Sequence, residues 1–169
     1  MVDPSDWEIR PLTREHDREE FRCGEPELDE FLSKYARQNQ EKGIARTYVA
    51  TKSGSSRVLG YFTLRGGHLE RAELPERAQR QLPRYPVPVA HLARLSVDQN
   101  AQGMRLGERL LLEALRKARE VSEILGLHGV EVLAKNDRAR LFYERYGFRP
   151  ARGDPHHLYL SMKRIEKLL

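Results

Sequence analysis

The sequence predicts a single α/β domain in which helices flank a central sheet. Short β-rich runs alternate with stretches of helical periodicity along the chain, which is typical of a sheet covered by helices. A length of 169 residues suits one domain with a full hydrophobic core. Hydrophobic residues make up 39% and charged residues 33%, a balance typical of globular proteins rather than membrane or disordered chains. We therefore expect residues 1–169 to form one domain.

The first part of the chain predicts a strand, a helix and a hairpin. Trp7–Leu12 alternates apolar and polar residues, as a half-buried strand does. A helix follows from Pro26, a residue favoured in a first helical turn, and ends at Gly43. Two β-rich runs, Thr47–Thr51 and Val58–Leu64, flank a polar segment with a glycine, which predicts a hairpin. The apolar stripe of the helix comprises Leu28, Phe31, Leu32 and Tyr35.

The rest of the chain predicts alternating helices and strands. Prolines bound a short helix over Leu74–Leu82, and residues 84–89 read as a rigid lead-in to a central strand, Leu92–Val97. A turn with glycines then opens an amphipathic helix, whose apolar positions are Leu106, Leu110, Leu111, Ala114, Leu115 and Ala118. The last predicted elements are a strand over Leu127–Ala134, a helix over Asn136–Tyr146 with Leu141, Phe142 and Tyr146 on one side, and a strand over His157–Met162 before a polar tail.

Composition excludes several classes of protein. No apolar run approaches the ~20 residues that span a bilayer, so we expect no membrane segment. The acidic N-terminus lacks the apolar region of a secretion signal, and Cys23 is the single cysteine. Both features fit the reducing cytoplasm. The sequence contains no Cys/His pattern of a zinc site, so we expect no metal.

Charge is unevenly distributed along the chain. Residues 1–30 carry eleven acids and four arginines, a balance of −7. Since the net charge of the chain is +5, residues 31–169 carry +12. Arginine accounts for 23 of the 30 basic residues. Because arginine binds phosphate with two hydrogen bonds, this excess is consistent with a nucleic-acid partner. A GC-rich genome that favours arginine codons explains the composition equally well.

The central strand and the turn after it resemble a known family. Leu92–Asp98 reads L-A-R-L-S-V-D, and the turn reads Q-G-M-R-L-G. Together they resemble the acyl-CoA pyrophosphate loop of the GNAT N-acetyltransferases, written [Q/R]-x-x-G-x-[G/A], whose positions fall on Gln102, Arg105 and Gly107. The resemblance implies a mixed central sheet with acetyl-CoA bound at a helix N-terminus. Arg105 replaces the first glycine of the motif. It either crowds the pyrophosphate, or keeps ordinary helical φ/ψ and adds a guanidinium for phosphate.

The N-terminal stretch narrows the resemblance. From Phe21 the chain reads F-R-C-G-E-P-E-L-D-E-F-L-x-x-Y-A-R-Q-N-Q-E-K-G-I-A-R-T-Y-V, which resembles the GNAT toxins of bacterial toxin–antitoxin pairs. Those enzymes acetylate the α-amino group of aminoacyl-tRNA and are neutralised by a small ribbon-helix-helix antitoxin. The resemblance implies that this chain takes charged tRNA as substrate and an antitoxin of that type as partner. We also expect a homodimer.

The resemblance assigns site residues. Ala139–Phe148 resembles the A-x-x-F-Y-x-x-x-G-F signature, in which the tyrosine, here Tyr143, donates a proton to the leaving thiolate. A backbone N–H near Leu95–Val97 is expected to bind the oxyanion. Asn136 is a helix N-cap that in related enzymes also contacts the CoA arm. The expected acetyl-CoA contacts are Leu95, Ser96, Val97, Gln102, Gly103, Met104, Arg105, Leu106, Gly107, Glu108 and Asn136.

No single residue stands out as a general base. An α-amino group titrates near ~8, against ~10.4 for a lysine side chain, so a useful fraction of it is already neutral at physiological pH. His68, Glu70 and Glu73 remain alternatives, each also explained as an exposed charge or loop residue. The basic residues expected along the tRNA path are Arg37, Lys42, Arg46, Arg84 and Arg94. For Arg37 and Lys42, relief of the helix dipole is an equally good explanation.

Two other functions fit the same sequence. The first is a GNAT enzyme that acetylates a protein or a small-molecule amine. The second is a degenerate acyl-CoA binder that acts as an RNA- or partner-binding module, since Arg105 departs from the loop motif. The presence of Gln102, Gly107 and Tyr143 favours an active enzyme over the second.

Overall fold

The computed structural model describes residues 6–74, 76–84, 86–151 and 153–169. Seven strands are present in that part of the chain: β1 Trp7–Pro11, β2 Arg46–Lys52, β3 Gly60–Leu69, β4 Val87–Val97, β5 Gly129–Leu133, β6 Arg149–Ala151 and β7 Asp154–Ser161. The α-helices are α1 Pro26–Glu30, α2 Ala36–Glu41, α3 Glu76–Gln79, α4 Leu106–Ser122, α5 Asp137–Glu144 and α6 Met162–Leu168. Short 3₁₀ turns cover Arg71–Glu73 and Gln99–Ala101.

The strands form one mixed sheet in the order β1-β2-β3-β4-β5-β7-β6. β1, β2 and β3 run antiparallel, β4 and β5 run parallel, and β7 is antiparallel to both β5 and β6. The parallel ladder pairs Val89–Leu92 of β4 with Gly129–Val132 of β5, whereas β4 itself continues to Val97. The predicted α/β class with a mixed sheet is confirmed.

The structure falls into two compact units. The first comprises the described residues up to Arg65 together with Ala93–Ala114. Tyr61 is completely buried in it, and its hydroxyl donates a hydrogen bond of 2.8 Å to the carbonyl of Leu28. This tether fixes α1 against β3. The buried cluster around it consists of Leu12, Phe21, Phe31, Leu32, Ala36, Val49, Val58 and Tyr61.

A π-helical turn, Phe31–Tyr35, joins α1 to α2. A π-turn contains an extra residue, so the side chains after it rotate relative to a regular helix. Phe31 and Leu32 are buried as predicted, but the next buried residue is Ala36, and Tyr35 is 48% exposed. The predicted place of Tyr35 in the apolar stripe is therefore wrong.

The second unit comprises Gly66–Leu92 and Leu115–Leu169. Its core includes Leu69, Leu74, Val87, Val89 and Tyr159. On α5, Tyr143 is buried, whereas Leu141, which the sequence placed on one side of the helix with Phe142 and Tyr146, is 55% exposed.

Three elements of the second unit differ from the predictions. β4 begins at Val87 rather than Leu92, because Val87 and Val89 are buried on either side of the exposed Pro88. β6 was not predicted, since three residues are too few to show alternation. The polar tail forms α6, which begins where the hydroxyl of Ser161 accepts a hydrogen bond from the N–H of Arg164. In the described ranges, no helix is long and apolar enough to cross a bilayer.

Candidate functional site

The end of β4 is only partly covered by other residues. Ser96 is buried, but Leu95 and Val97 are only partly buried, although a plain sheet core would bury both. β4 continues beyond Leu92, where its ladder with β5 ends. The main chain of the predicted oxyanion site therefore lies past the last parallel pair.

Asp98 fixes the turn that follows β4. Its side chain is buried and accepts hydrogen bonds from the N–H of Asn100 at 2.9 Å and from the N–H of Arg22 at 3.0 Å. Its own N–H donates to the carbonyl of Leu59 at 2.8 Å. Sequence reasoning missed this residue. The available signal was an aspartate directly before a short turn, which is a usual helix-capping position.

Gln102 is an exposed residue whose side chain connects the loop to two neighbouring segments. Its side-chain amide donates to the carbonyl of Val97 at 3.1 Å and to the carbonyl of Cys23 at 3.2 Å. These bonds connect the loop to the end of β4 and to the segment before α1. The structure thus gives Gln102 a role in shaping the loop, and its predicted contact with acetyl-CoA stays a prediction.

Arg105 adopts a left-handed backbone conformation, with φ of +63°. The expectation that it keeps ordinary helical φ/ψ is therefore wrong. This conformation costs a residue with a Cβ atom about 1–2 kcal/mol, which explains why the motif usually has glycine here. The carbonyl of Arg105 accepts the first hydrogen bond of α4, from Arg109 at 3.1 Å, and its side chain is exposed. Its guanidinium is therefore free to meet an anion from solvent.

The N-terminus of α4 has a positive electrostatic potential that favours an anion. The helix has 17 residues, and its first N–H groups have no partner within the helix, so the helix dipole favours negative charge there. Leu106 is buried and anchors this end of the helix. It packs closely against Gly60, since a Cβ atom added to that glycine would lie 3.1 Å from the Leu106 side chain and 2.9 Å from that of Leu110. The remaining predicted residues of the loop are exposed or half-exposed: Gly103, Met104, Gly107 and Glu108.

Tyr143 lies on α5 with only 6% of its surface exposed. Its ring packs edge-on against Phe142 at 5.2 Å and Phe148 at 5.4 Å. Burial raises the pKa of the phenol far above its ordinary value, so the hydroxyl keeps its proton at physiological pH. On the same helix Asn136 is the N-cap, and its side chain accepts from the N–H of Ala139 at 2.9 Å.

A histidine–glutamate cluster lies on β4, β5 and β7, where His91 and Glu131 are buried and His157 is partly buried. Glu131 is directly opposite His91 in the parallel ladder, with Oε1 3.2 Å from His91 Nδ1. Its Oε2 forms a hydrogen bond of 2.7 Å with His157 Nε2. Burial alone would raise the pKa of Glu131, but the contacts with His91 and His157 outweigh it and lower the pKa. Sequence reasoning missed this cluster because its members are far apart in the chain.

The alternative bases have structural roles. Glu73 lies 3.7 Å from His157 Nδ1 and accepts a hydrogen bond of 2.9 Å from the N–H of Glu70, as part of a capping box. His68 is exposed and lies 3.7 Å from the carboxylate of Glu70. Neither arrangement marks a dedicated base. Within the ranges that the structure describes, no group of three or more His, Cys, Asp or Glu could hold a metal ion.

The basic residues proposed for RNA differ in their surroundings. Lys42, Arg46 and Arg84 are exposed. Arg37 forms an ion pair of 2.9 Å with Glu41, so its charge is partly neutralised. The guanidinium of Arg94 lies 3.6 Å from the centre of the Phe31 ring, and burial lowers its pKa. The cation–π contact holds the Arg94 side chain in one place.

Sheet order, phosphate loop and tyrosine signature together define an acetyltransferase. The sequence matches the acetyltransferase (GNAT) family over residues 8–148, and the chain belongs to that family.

Its relatives are toxins. A tRNA-acetylating toxin of Mycobacterium tuberculosis strain H37Rv is 38% identical over 160 residues, which cover 95% of each chain. The structure of AtaT complexed with acetyl-methionyl-tRNAfMet has a TM-score of 0.90 and 34% identity, over 96% of this chain and 99% of that one. A tyrosine-to-phenylalanine mutant of AtaT, bound to the C-terminus of the antitoxin AtaR and acetyl-CoA, has a TM-score of 0.82 and 30% identity, over 97% and 98%.

Proposed function

We propose that this protein transfers an acetyl group from acetyl-CoA to the α-amino group of aminoacyl-tRNA and thereby blocks translation as a toxin. The observation that carries the proposal is the match to the mycobacterial tRNA-acetylating toxin, which is 38% identical over 95% of both chains. The AtaT complex with an acetylated methionyl-tRNA supports the same substrate class.

The donor would bind at the loop before α4. Leu106, Gly107 and Glu108 form the positive end of a 17-residue helix, and the exposed Arg105 guanidinium adds a charge. Asp98 and Gln102 hold the loop in shape through the hydrogen bonds described above. The half-open end of β4 at Leu95–Val97 supplies main-chain N–H groups for the thioester oxygen.

Tyr143 would protonate the departing thiolate. In water the transfer from a phenol of pKa ~10 to a thiolate of pKa ~8.5 costs about 2 kcal/mol. Burial raises the pKa of Tyr143, but a thiolate brought into an apolar site also becomes more basic, which offsets the change. The acceptor amine needs no strong base, because a useful fraction of an α-amino group with a pKa of ~8 is already neutral at physiological pH.

The acceptor would be held through its phosphates. We assign this role to Lys42 at the end of α2, Arg46 at the start of β2 and Arg84, all of which are exposed. We also include Arg94, whose guanidinium is held by Phe31, and Arg37, which is half-buried in the first turn of α2.

The partner would be an antitoxin of the ribbon-helix-helix type. The AtaT structure with the C-terminus of AtaR supports an antitoxin bound directly to the enzyme. We further propose that the toxin acts as a homodimer in the cytoplasm, where charged tRNA is found. Light scattering of the purified protein tests the dimer.

Incubation with labelled acetyl-CoA and total charged tRNA tests the substrate. Label should enter the aminoacyl ester of at least one tRNA, and uncharged tRNA should take none because it lacks the amine. If every aminoacyl-tRNA stays unlabelled while a peptide or polyamine is acetylated, the toxin assignment is wrong and the enzyme is a GNAT with another acceptor.

A further inference from the structure

A cavity of about 700 Å³ lies in the second unit, and none of the residues assigned to acetyl transfer lines it. Its least exposed lining side chain is Tyr159 of β7, whose ring stacks on His128 with centroids 5.8 Å apart and planes 12° from parallel. Apolar side chains of Leu82, Leu127 and Met162 complete this part of the wall. The cavity therefore combines a stacked aromatic pair with apolar surface.

Most of the remaining lining is basic, with Ala78, Gln81 and Ser161 between the cations. Five cations line the cavity: Arg77, Arg149, Lys163, Arg164 and Lys167. All five are exposed, and none forms an ion pair with an acidic side chain of the described residues. Glu76 and Glu166 lie on the same two helices, α3 and α6, but do not line the cavity. Such a concentration of one charge sign around an indentation attracts anions.

One buried polar atom of the lining lacks a partner. Tyr159 is 6% exposed, and its hydroxyl oxygen is buried without a hydrogen bond to any described residue. Because this oxygen is closed to solvent, a ligand in the cavity meets the ring of Tyr159 and not its hydroxyl. The ring and the cations line the same cavity.

We propose that this cavity is a nucleotide-binding site. The cations bind the phosphate, and the base packs against the Tyr159–His128 pair and the apolar wall. A volume of about 700 Å³ is within the usual range for small-molecule sites and accommodates one nucleotide. Free mononucleotides and an unpaired nucleotide of RNA share this chemistry. The RNA source rests on the proposed function, whereas the mononucleotide source does not.

Calorimetry with adenosine 5′-monophosphate tests the site in the full-length protein. Acetyl-CoA is kept saturating, so that its own binding site is closed to the probe. Arg149→Ala combined with Lys163→Ala should weaken binding by about tenfold for each charge-assisted hydrogen bond lost. Tyr159→Phe keeps the ring and removes only a hydroxyl that is closed to solvent, so it should leave binding nearly unchanged. The matched control combines Arg10→Ala with Lys52→Ala, which removes two exposed cations from the first unit.

A 5′-phosphorylated ribotrinucleotide separates the two sources. If the trinucleotide binds and the mononucleotide competes with it, free nucleotides enter the site. If only the trinucleotide binds and the cavity variants weaken it, RNA is the ligand. The ring signals of His128 in an NMR titration should shift with either probe, which locates binding even if a variant folds poorly.

Three results would overturn the proposal: no saturable binding of either probe, equal weakening by the control, or binding that leaves the His128 signals unmoved. The acetylation assay is independent of these measurements. A protein that binds nucleotides here but leaves charged tRNA unmodified would retain the cavity assignment and lose the proposed acceptor.

Discussion

Tyr143 is a buried phenol whose proton stays bound at physiological pH, so its removal is a sharp test of acid catalysis. Tyr143→Phe keeps the ring between Phe142 and Phe148 and deletes only the hydroxyl. We expect turnover to fall by roughly 10²-fold or more, with acetyl-CoA affinity nearly unchanged. Steady-state kinetics and calorimetry measure both quantities. Leu141→Ala on the exposed side of α5 is the control, and near-normal turnover of the phenylalanine variant would remove Tyr143 from the mechanism.

Arg105 combines backbone strain with a free cation, and two substitutions separate these contributions. Arg105→Ala keeps the left-handed strain and loses the guanidinium, so acetyl-CoA binding should weaken by about 1–2 kcal/mol, the scale of a charge-assisted hydrogen bond. Arg105→Gly loses the same cation but relieves the strain, so it should fold at least as stably as the alanine variant. Calorimetry and urea denaturation compare the three proteins. Tighter acetyl-CoA binding in the glycine variant would show that the arginine obstructs the loop.

Residues could be identified from the sequence where a motif is local. Tyr143 and the loop around Gln102 could be proposed as site residues because their neighbours in the chain carry the pattern. Asp98 and Glu131 were not, because their partners are distant: Arg22 is 76 positions from Asp98, and His157 is 26 positions from Glu131. Such contacts exist only after the strands have paired. The positive φ of Arg105 was equally hidden, since arginine gives no sign of a left-handed backbone.

At the scale of elements, helical periodicity predicted the position of the first helix but not its internal geometry. The run from Pro26 to Glu41 is interrupted by the π-turn Phe31–Tyr35. The apolar stripe expected for 3.6 residues per turn agrees with the buried residues up to Leu32. After the π-turn the buried positions are shifted by one residue, so Tyr35 is exposed and Ala36 is buried. The sequence has no residue that marks such an insertion. Packing of Phe31 and Ala36 in one buried cluster favours the observed register.

The His91–Glu131–His157 cluster ties together three strands, and its carboxylate can be tested by stability. Glu131→Gln keeps the shape but removes the charge, so the free energy of unfolding at pH 7 should fall by about 1–3 kcal/mol. Urea denaturation measures this loss. The exposed Glu120→Gln should change stability by no more than about 0.5 kcal/mol.

The pH dependence of that loss has a defined sign. Because folding lowers the pKa of Glu131, its carboxylate stabilises the protein above its ordinary pKa of 4.5, and the contribution is lost as the pH falls through the lower folded pKa. The difference between wild type and Glu131→Gln should therefore be constant above about pH 5 and narrow below pH 4.5. A difference that persists undiminished at lower pH would show that packing, rather than charge, is responsible.

For the whole molecule, the α/β class followed from alternating periodicities and the mixed sheet from the family resemblance, and both are confirmed. The separation into two compact units did not follow, since β3, β4 and α4 each run through both and no linker marks a boundary. Charge is likewise a property of the whole chain. Eleven acids lie within the first 30 residues, and the remaining +12 lies beyond them. A partner rich in phosphate is expected to meet the later residues.

Binding of charged tRNA should therefore weaken steeply with salt, because each neutralised phosphate releases counterions. Arg46 is exposed at the start of β2, so Arg46→Glu should reduce acetylation of aminoacyl-tRNA and leave acetyl-CoA affinity unchanged. The slope of log affinity against log salt should fall by about one for the lost contact. Arg10→Glu makes the same change in net charge on β1 and is the matched control. Equal effects of the two reversals would mean that only overall charge matters. Expression of the wild type should arrest growth, and Arg46→Glu should relieve the arrest in proportion to the acetylation lost.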